Sequence, residues 1–184
     1  MKAPKISVLI PNYNHARYLP EAVESVLEQD FADFEVLIAD DASTDGSAQV
    51  IAKYAAGDRR VRVRINSTNC GVAENFNGCL AQARGEHIKF LLSDDKLAHR
   101  GALGALVGLL ERYPTACLAA SARLLIGDRS ERLGVCDDFH RGGLHAGPKT
   151  IAECLYHGAN LIGEPSAVIF RKRALAGGDR TSWR

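Results

Sequence analysis

Two acidic pairs carry the chemistry that this chain can do. Asp40-Asp41 follows the run Phe34-Glu35-Val36-Leu37-Ile38-Ala39, and Asp94-Asp95 follows His87-Ile88-Lys89-Phe90-Leu91-Leu92. Each run reads as a buried strand bounded by polar punctuation. Carboxylates just past the C-terminal ends of strands lie where open α/β sheets form their ligand crevice. Up to four negative charges gathered there are costly unless a cation or a donor-rich ligand joins them. The expected chemistry is therefore metal-assisted handling of a phosphorylated ligand. Each pair also has a purely structural use: Asp41 as an Asx-turn cap, Asp94-Asp95 as a charge pair at a helix N-terminus.

The elements that must position these acids follow from periodicity. Ile6 to Ile10 predicts a first strand, closed by Pro11-Asn12-Tyr13-Asn14. Leu19, Ala22, Val23, Val26 and Leu27 recur at helical spacing, with Pro20 where a first-turn proline is tolerated. A second strand at 34–39 runs into the cap-rich segment Asp40 to Ser47 and a helix carrying Val50, Ile51 and Tyr54. Residues 61–65 alternate as Val-Arg-Val-Arg-Ile, a half-buried strand with Arg60, Arg62 and Arg64 on its wet face. That basic stripe suits edge protection or contact with phosphate or an anionic membrane.

Asn69-Cys70-Gly71 then opens a helix with Ala73, Phe76, Asn77, Leu80 and Ala83 on one face. A strand at 87–92, a helix from about Ala98 to Arg112 and a strand at 117–126 come next. The Gly-, Arg- and Asp-rich stretch 127–148 predicts a long loop, followed by a short helix near 150–157 and a strand from Ala167 to Phe170. Strands alternating with helices through residue 112 predict an α/β fold: a doubly wound, mostly parallel sheet with flanking helices and a mixed C-terminal part.

Bulk properties narrow the function. The 184 residues suit a single domain, and 46% hydrophobic with 24% charged residues is ordinary for a globular protein. A formal net charge of +1 gives no basis for nucleic-acid binding by bulk electrostatics. No signal peptide is visible and no apolar run reaches the roughly 18 residues that span a bilayer, so a cytoplasmic protein is expected. Cys70, Cys79, Cys117, Cys136 and Cys154 form no C-x-x-C pair and are expected as reduced thiols with small buried side chains. No G-x-G-x-x-G follows the first strand, no P-loop or G-x-S-x-G elbow occurs, and the histidines show no metal spacing. Dehydrogenases, P-loop enzymes and elbow hydrolases are thereby excluded. A nucleotidyltransferase would want a Gly-rich basic loop after strand one, and a phosphoacceptor receiver would want its acids there.

The remaining motifs resemble the family 2 glycosyltransferases. Ile6-Ser7-Val8-Leu9-Ile10-Pro11-Asn12-Tyr13-Asn14, Ser25-Val26-Leu27-Glu28-Gln29 and Ala39-Asp40-Asp41-Ala42-Ser43-Thr44-Asp45-Gly46-Ser47 are similar to that family's opening blocks. Asn69-Cys70-Gly71 with Asn75, Asn77 and Gly78 resembles its next block. Ser93-Asp94-Asp95 falls at its D-x-D-type metal motif, and Gly163 to Arg171 resembles a later segment of the polysaccharide-building members. The resemblance implies a GT-A fold and an inverting, nucleotide-sugar-dependent transferase in surface polysaccharide or glycan synthesis. It implies that Asp41 accepts a base N–H, that Asp40 supports the turn, and that Pro11 and Tyr13 line the base pocket. Asp95, and less directly Asp94, would hold Mg²⁺ or Mn²⁺ against the diphosphate. The implied partners are a UDP-, GDP- or dTDP-linked sugar donor and a glycan or lipid-linked acceptor, with peripheral association at the inner membrane face if the acceptor is lipid-linked.

Two departures qualify what the resemblance implies. Leu92 stands where members often carry an earlier acid, and Lys96 follows the acidic pair. Inverting transfer also needs a general base, in this family an Asp beyond a Gly-Gly-Phe-Asp-type segment. Here Ala176-Gly177-Gly178-Asp179 lacks the Phe, and the expected base lies beyond Arg184. The expectation is a nucleotide-sugar-binding part at about 1–126 and an incomplete acceptor part at about 127–184. The alternative is an inactive, truncated fragment that at most binds nucleotide. Asp137, Asp138, Glu153 and Glu164 are the acids available as substitutes.

Overall fold

The computed structural model describes residues 3–137 and 142–175. The expected Gly177-Gly178-Asp179 segment and Asp138 lie outside them. The elements run β1 (Ile6–Asn12), α1 (Leu19–Leu27), β2 (Phe34–Asp40), α2 (Ser47–Gly57), β3 (Val61–Ile65), α3 (Val72–Gln82), β4 (His87–Phe90), α4 (Ala102–Arg112), β5 (Leu118–Ala120), β6 (Arg123–Ile126), β7 (Arg132–Cys136), α5 (Gly147–His157) and β8 (Val168–Arg171). Short 3₁₀ turns at Pro165–Ala167 and Lys172–Leu175 flank β8.

Six strands form the main sheet in the order β3-β2-β1-β4-β8-β5. The pairs β1–β2, β2–β3 and β1–β4 are parallel, while β8 runs against both its neighbours. The chain order reverses at β1, so the switch point lies between the ends of β1 and β4, where such sheets bind ligands. This is the expected mostly parallel sheet with a mixed C-terminal side.

Alternation within each strand loads both faces. Ile6, Val8, Ile10, Val36 and Ile38 point to one side and pack against Ala22, Val23, Ile51, Leu103 and Leu110 of α1, α2 and α4. Leu9, Leu37, Ala39, Ile88 and Phe90 point to the other and meet Cys79 and Phe76 of α3 and Ala83 at its C-cap. Strands buried on both faces read as near-continuous apolar runs, which is why the sequence revealed them.

Several elements differ from the sequence expectations. The strand expected at 117–126 is two strands in two sheets: the last ladder bond of β5 runs from Ser121 N–H to the Ala167 carbonyl, and the chain then leaves the sheet. The expected loop 127–148 contains β7, which pairs with β6 across a tight turn at 127–131. The pairing partners lie on separate short strands with weak alternation, so no local period betrays them. The α4 helix begins at Ala102 rather than near Ala98, where Gln29 accepts the Leu103 N–H at 2.9 Å and donates to the His99 carbonyl. The buried face of α3 carries Asn75 and Cys79, and Ala73 is exposed. All five cysteines are free as expected, but only Cys79 is buried; Cys70 and Cys117 are exposed. Arg62 and Arg64 lie on edge strand β3 as expected, with Arg60 just before it, yet all three are half-buried. Arg60 stacks on Phe34 and pairs with Asp58, Arg62 pairs with Glu35 at 2.9 Å, and Arg64 lies across Gly78, where a Cβ would collide with it.

Candidate functional site

Both acidic pairs sit at the C-terminal edge of the sheet, on the turns that leave β2 and β4, with β1 between them. The loop after β1 is zipped to the loop after β2. Asn14 N–H donates to Ser43 Oγ at 2.9 Å, Thr44 N–H to Asn14 Oδ1 at 2.8 Å, and Ala16 N–H to Asp45 Oδ2 at 2.8 Å. Asn14 and Ala42 adopt φ of 56° and 58°, a left-handed backbone that costs energy and clusters at functional turns. On the other side, His15 Nδ1 and Ser93 Oγ share a hydrogen bond of 2.9 Å, which ties the β1 loop to the β4 turn.

Asp40 is 1% exposed and organises its own turn. It accepts Asn12 Nδ2 at 2.7 Å, Ser43 N–H at 3.0 Å and Ser43 Oγ at 2.6 Å. Asp41, 2% exposed, reaches across to the start of α3. Its Oδ1 accepts Asn66 Nδ2 at 2.7 Å, Cys70 N–H at 2.9 Å and the Cys70 thiol at 3.1 Å, while Oδ2 accepts Gly71 N–H at 2.9 Å. Burial raises its pKa, but the Cys70, Asn66 and Gly71 donors outweigh it and hold the carboxyl below its ordinary value. Gly71, at φ 85°, supplies the backbone turn that aims its N–H at Asp41. Asn75 donates to the Ala39 carbonyl at 2.9 Å from the buried face of α3. Pro11 is buried within β1, and Tyr13, 49% exposed, stands at its mouth.

The second pair is differently equipped. Asp94 is exposed and forms no hydrogen bond or ion pair among the described residues; Asp95 is half-buried. Burial pushes the Asp95 carboxyl above its ordinary value, with Asp94 and Glu164 adding to the rise, and the Ser166 hydroxyl and Lys89 pulling it down. Lys96 turns away to Glu21, at 2.7 Å. The acids open onto a cavity of about 820 Å³ between α4 and the β6–β7 hairpin, whose wall includes Lys89, Glu164 and Ser166.

Among the described residues no three His, Cys, Asp or Glu side chains gather as a metal cage. Asp94 and Asp95 nevertheless fit Mg²⁺ or Mn²⁺, which are commonly held by one or two carboxylates with substrate phosphates and water completing the shell. Of the substitute bases, Glu164 lines this cavity but pairs with Arg123 at 2.8 Å, and Glu153 faces Lys149 on α5. Sequence reading missed His15, Ser93, Asn66, Lys89 and Ser166 as members of the site. The signal for Lys89 was present: a lone lysine inside an otherwise apolar buried run.

A sheet switching direction beside two acidic turns defines an α/β domain with its ligand crevice at that edge. The Glycosyl transferase family 2 model matches residues 7–174, and the chain belongs to that family. It is 36% identical over 190 aligned residues to the uncharacterized protein MT1568 of Mycobacterium tuberculosis, covering 97% of this chain and 57% of that protein. It is 40% identical over 93 residues to the putative teichuronic acid biosynthesis glycosyltransferase TuaG of Bacillus subtilis, covering 50% of this chain and 37% of that protein. Among solved structures, S. aureus TarS 1-349 superposes with a TM-score of 0.71 at 27% identity, over 94% of this chain and 48% of that one, and TarS is also known in complex with UDP-GlcNAc. The mannosyltransferase PcManGT of Pyrobaculum calidifontis, in complex with GDP-Man and Mn²⁺, shares the fold with a TM-score of 0.68 at 21% identity, over 97% of this chain and 48% of that one. The chain thus spans about half the length of the relatives it matches. The GT-A-like fold and the family that the sequence resemblance implied are both borne out.

Proposed function

We propose that this chain is the donor-binding part of a glycosyltransferase that binds a nucleotide-diphosphate sugar with a divalent cation and passes the sugar, with inversion, to an acceptor hydroxyl. The observation that carries the reading is the pair of acidic turns flanking β1 at the switch point of a family 2 domain. Asp41, kept anionic and acceptor-only, would take a base N–H on Oδ2, which accepts a single hydrogen bond from the protein. Pro11 and Tyr13 would line the base pocket, with Asp40 fixing the turn beneath them. Asp94 and Asp95 would hold the cation against the diphosphate. When bound, the cation would supply Lewis-acid neutralisation of the departing nucleoside diphosphate.

Donor binding is assigned to about 1–126 with Ser166 in support, and the acceptor side to about 127–184. The described residues supply no assigned base. The teichuronic acid relative supports surface polysaccharide synthesis as the setting; a glycan or lipid-linked acceptor is the second substrate of the proposal. No helix among the described residues is long and apolar enough to cross a membrane. A cytoplasmic site, at the inner membrane face for a lipid-linked acceptor, completes the proposal. Nucleotide binding without transfer is the second reading, favoured by the engagement of two substitute acids, Glu164 with Arg123 and Glu153 with Lys149.

Calorimetric titration with UDP, GDP and dTDP, with and without Mn²⁺, tests the donor site. Binding of one nucleotide that requires Mn²⁺ and is lost in Asp95→Ala is expected. No binding by a folded chain, or unchanged affinity in both Asp41→Asn and Asp95→Ala, overturns the assignment. Donor hydrolysis or sugar transfer then separates the two readings.

A further inference from the structure

Lys89 is an unusual residue for the middle of a sheet buried on both faces. It lies on β4, opposite Val8 of β1 and Ile169 of β8, and is 1% exposed. Buried ammonium groups normally pair with a carboxylate. Among the described residues none lies within ion-pairing distance; the ammonium donates instead to the carbonyl of Ser166. A lysine used only for bulk here is replaceable by methionine or leucine without the desolvation cost, so the polar tip needs its own explanation.

The partner supplies one. Ser166 sits on the 3₁₀ turn that leads into β8, and two groups converge on it. Its carbonyl takes the Lys89 ammonium, and its Oγ accepts the Leu92 N–H at 3.0 Å, at the bend that carries the acidic pair. Asp95 closes the same turn by donating its N–H to the Leu92 carbonyl at 3.0 Å. Lys89, Asp95 and Ser166 line one wall of the cavity. The 3₁₀ turn reaches this wall from residues 165–167, and the Lys89 side-chain nitrogen is the buried donor that fastens it to β4.

We infer that Lys89 is a positioning residue of the donor site: by holding the Ser166 carbonyl it keeps Ser166 Oγ on the Leu92 N–H and so fixes the turn that presents Asp95. The inference rests on the reading of Asp95 as the acid that holds the divalent cation. Groups that orient a metal-binding carboxylate typically change metal affinity about 10–100-fold when removed. Lys89 donates to Ser166 and not to Asp95, so the inferred route of its effect is through Ser166.

The test follows free Mn²⁺ by electron paramagnetic resonance during titration of the chain, with UDP or GDP present. Four variants are compared with the wild type: Lys89→Met, which keeps length without the charge, Ser166→Ala, their double mutant, and Asp95→Asn. Circular dichroism and thermal melting establish that each is folded. The expected result is a roughly tenfold or greater loss of Mn²⁺ affinity in Lys89→Met and in Ser166→Ala, with the double mutant no worse than either single one. A structural role alone would shift the melting temperature and leave affinity in the folded fraction unchanged. Wild-type affinity in Lys89→Met, with affinity lost in Asp95→Asn, overturns the positioning role and leaves the donor-site reading intact. Additive losses in the double mutant, or no loss in Ser166→Ala, overturn the route through Ser166. Should Lys89→Met not fold, Ser166→Ala carries the same expectation alone. No nucleotide-dependent Mn²⁺ binding by the wild type, or none lost in Asp95→Asn, overturns the reading of Asp95 and the inference with it.

Discussion

The turn after β2 and the turn after β4 carry the same dipeptide and are built in opposite ways. Asp41 is enclosed and accepts four hydrogen bonds from three residues, which hold its carboxyl below its ordinary pKa. Asp95 is desolvated beside Asp94 and Glu164, with a serine hydroxyl and a buried lysine as its compensation, and its pKa is raised. A carboxylate held by four fixed hydrogen bonds stays ionised without a cation, while its Oδ2 keeps room for one more donor. A desolvated carboxylate next to like charges favours whatever brings positive charge, a proton or a cation. The fold thus balances the charge of one turn itself and leaves the charge of the other to be met by a ligand.

This contrast can be broken, and the largest effect comes first. Asp41→Ala strands the Cys70 and Gly71 N–H groups and the Asn66 amide, so a loss of about 3 kcal/mol in stability is expected by urea denaturation. Asp95→Ala should cost less than about 1 kcal/mol in the same assay, because it removes a charge that burial already disfavours. Equal losses would mean that the two turns are structurally equivalent. Next in size, Asp95→Asn should lower Mn²⁺-dependent nucleotide affinity about 10–100-fold by calorimetry, with little change in the urea midpoint.

The acid response sharpens the contrast because the two signs differ. A lowered folded pKa means that Asp41, and likewise the buried Glu35, stabilise the fold above the ordinary carboxyl values of 3.8 and 4.5; that contribution is lost as pH falls through their lower folded values. For Glu35, burial opposes ionisation and the Ser7, Arg84 and Arg62 donors outweigh it. Asp95 acts the other way: stability falls as pH rises from its ordinary value of 3.8 toward its raised folded value. Stability against pH should therefore lose part of its acid-side slope in Asp41→Asn, and should rise slightly at neutral pH in Asp95→Asn. The smallest effect is Ala42→Gly, which relieves the left-handed backbone beside Asp41 and should add roughly 0.5 kcal/mol.

How far the sequence revealed these turns depends on the range of the contacts. The strands 34–40 and 87–90 were legible because burial on both faces writes continuous apolar runs, and the acids were legible because they end those runs. Pro20 and the 3.6-residue period announced α1 in the same local way. The β6–β7 hairpin was not legible, since four- and five-residue strands with exposed Leu124, Leu125, Leu133 and Val135 have no period to read. Nor were the partners of Asp41 and Asp95, which come from Asn66, Cys70, Gly71 and Ser166 at separations of 25 to 71 residues.

By itself the sequence determined the alternation of strands and helices, the two acidic turns and the family, because each of these is written in neighbouring residues. Only the tertiary structure decided that the turns flank one strand, that Lys89 reaches Ser166, and that fixed donors outweigh burial at Asp41 but not at Asp95. A carboxylate's type is local, but its pKa and its partners belong to whatever the fold packs against it.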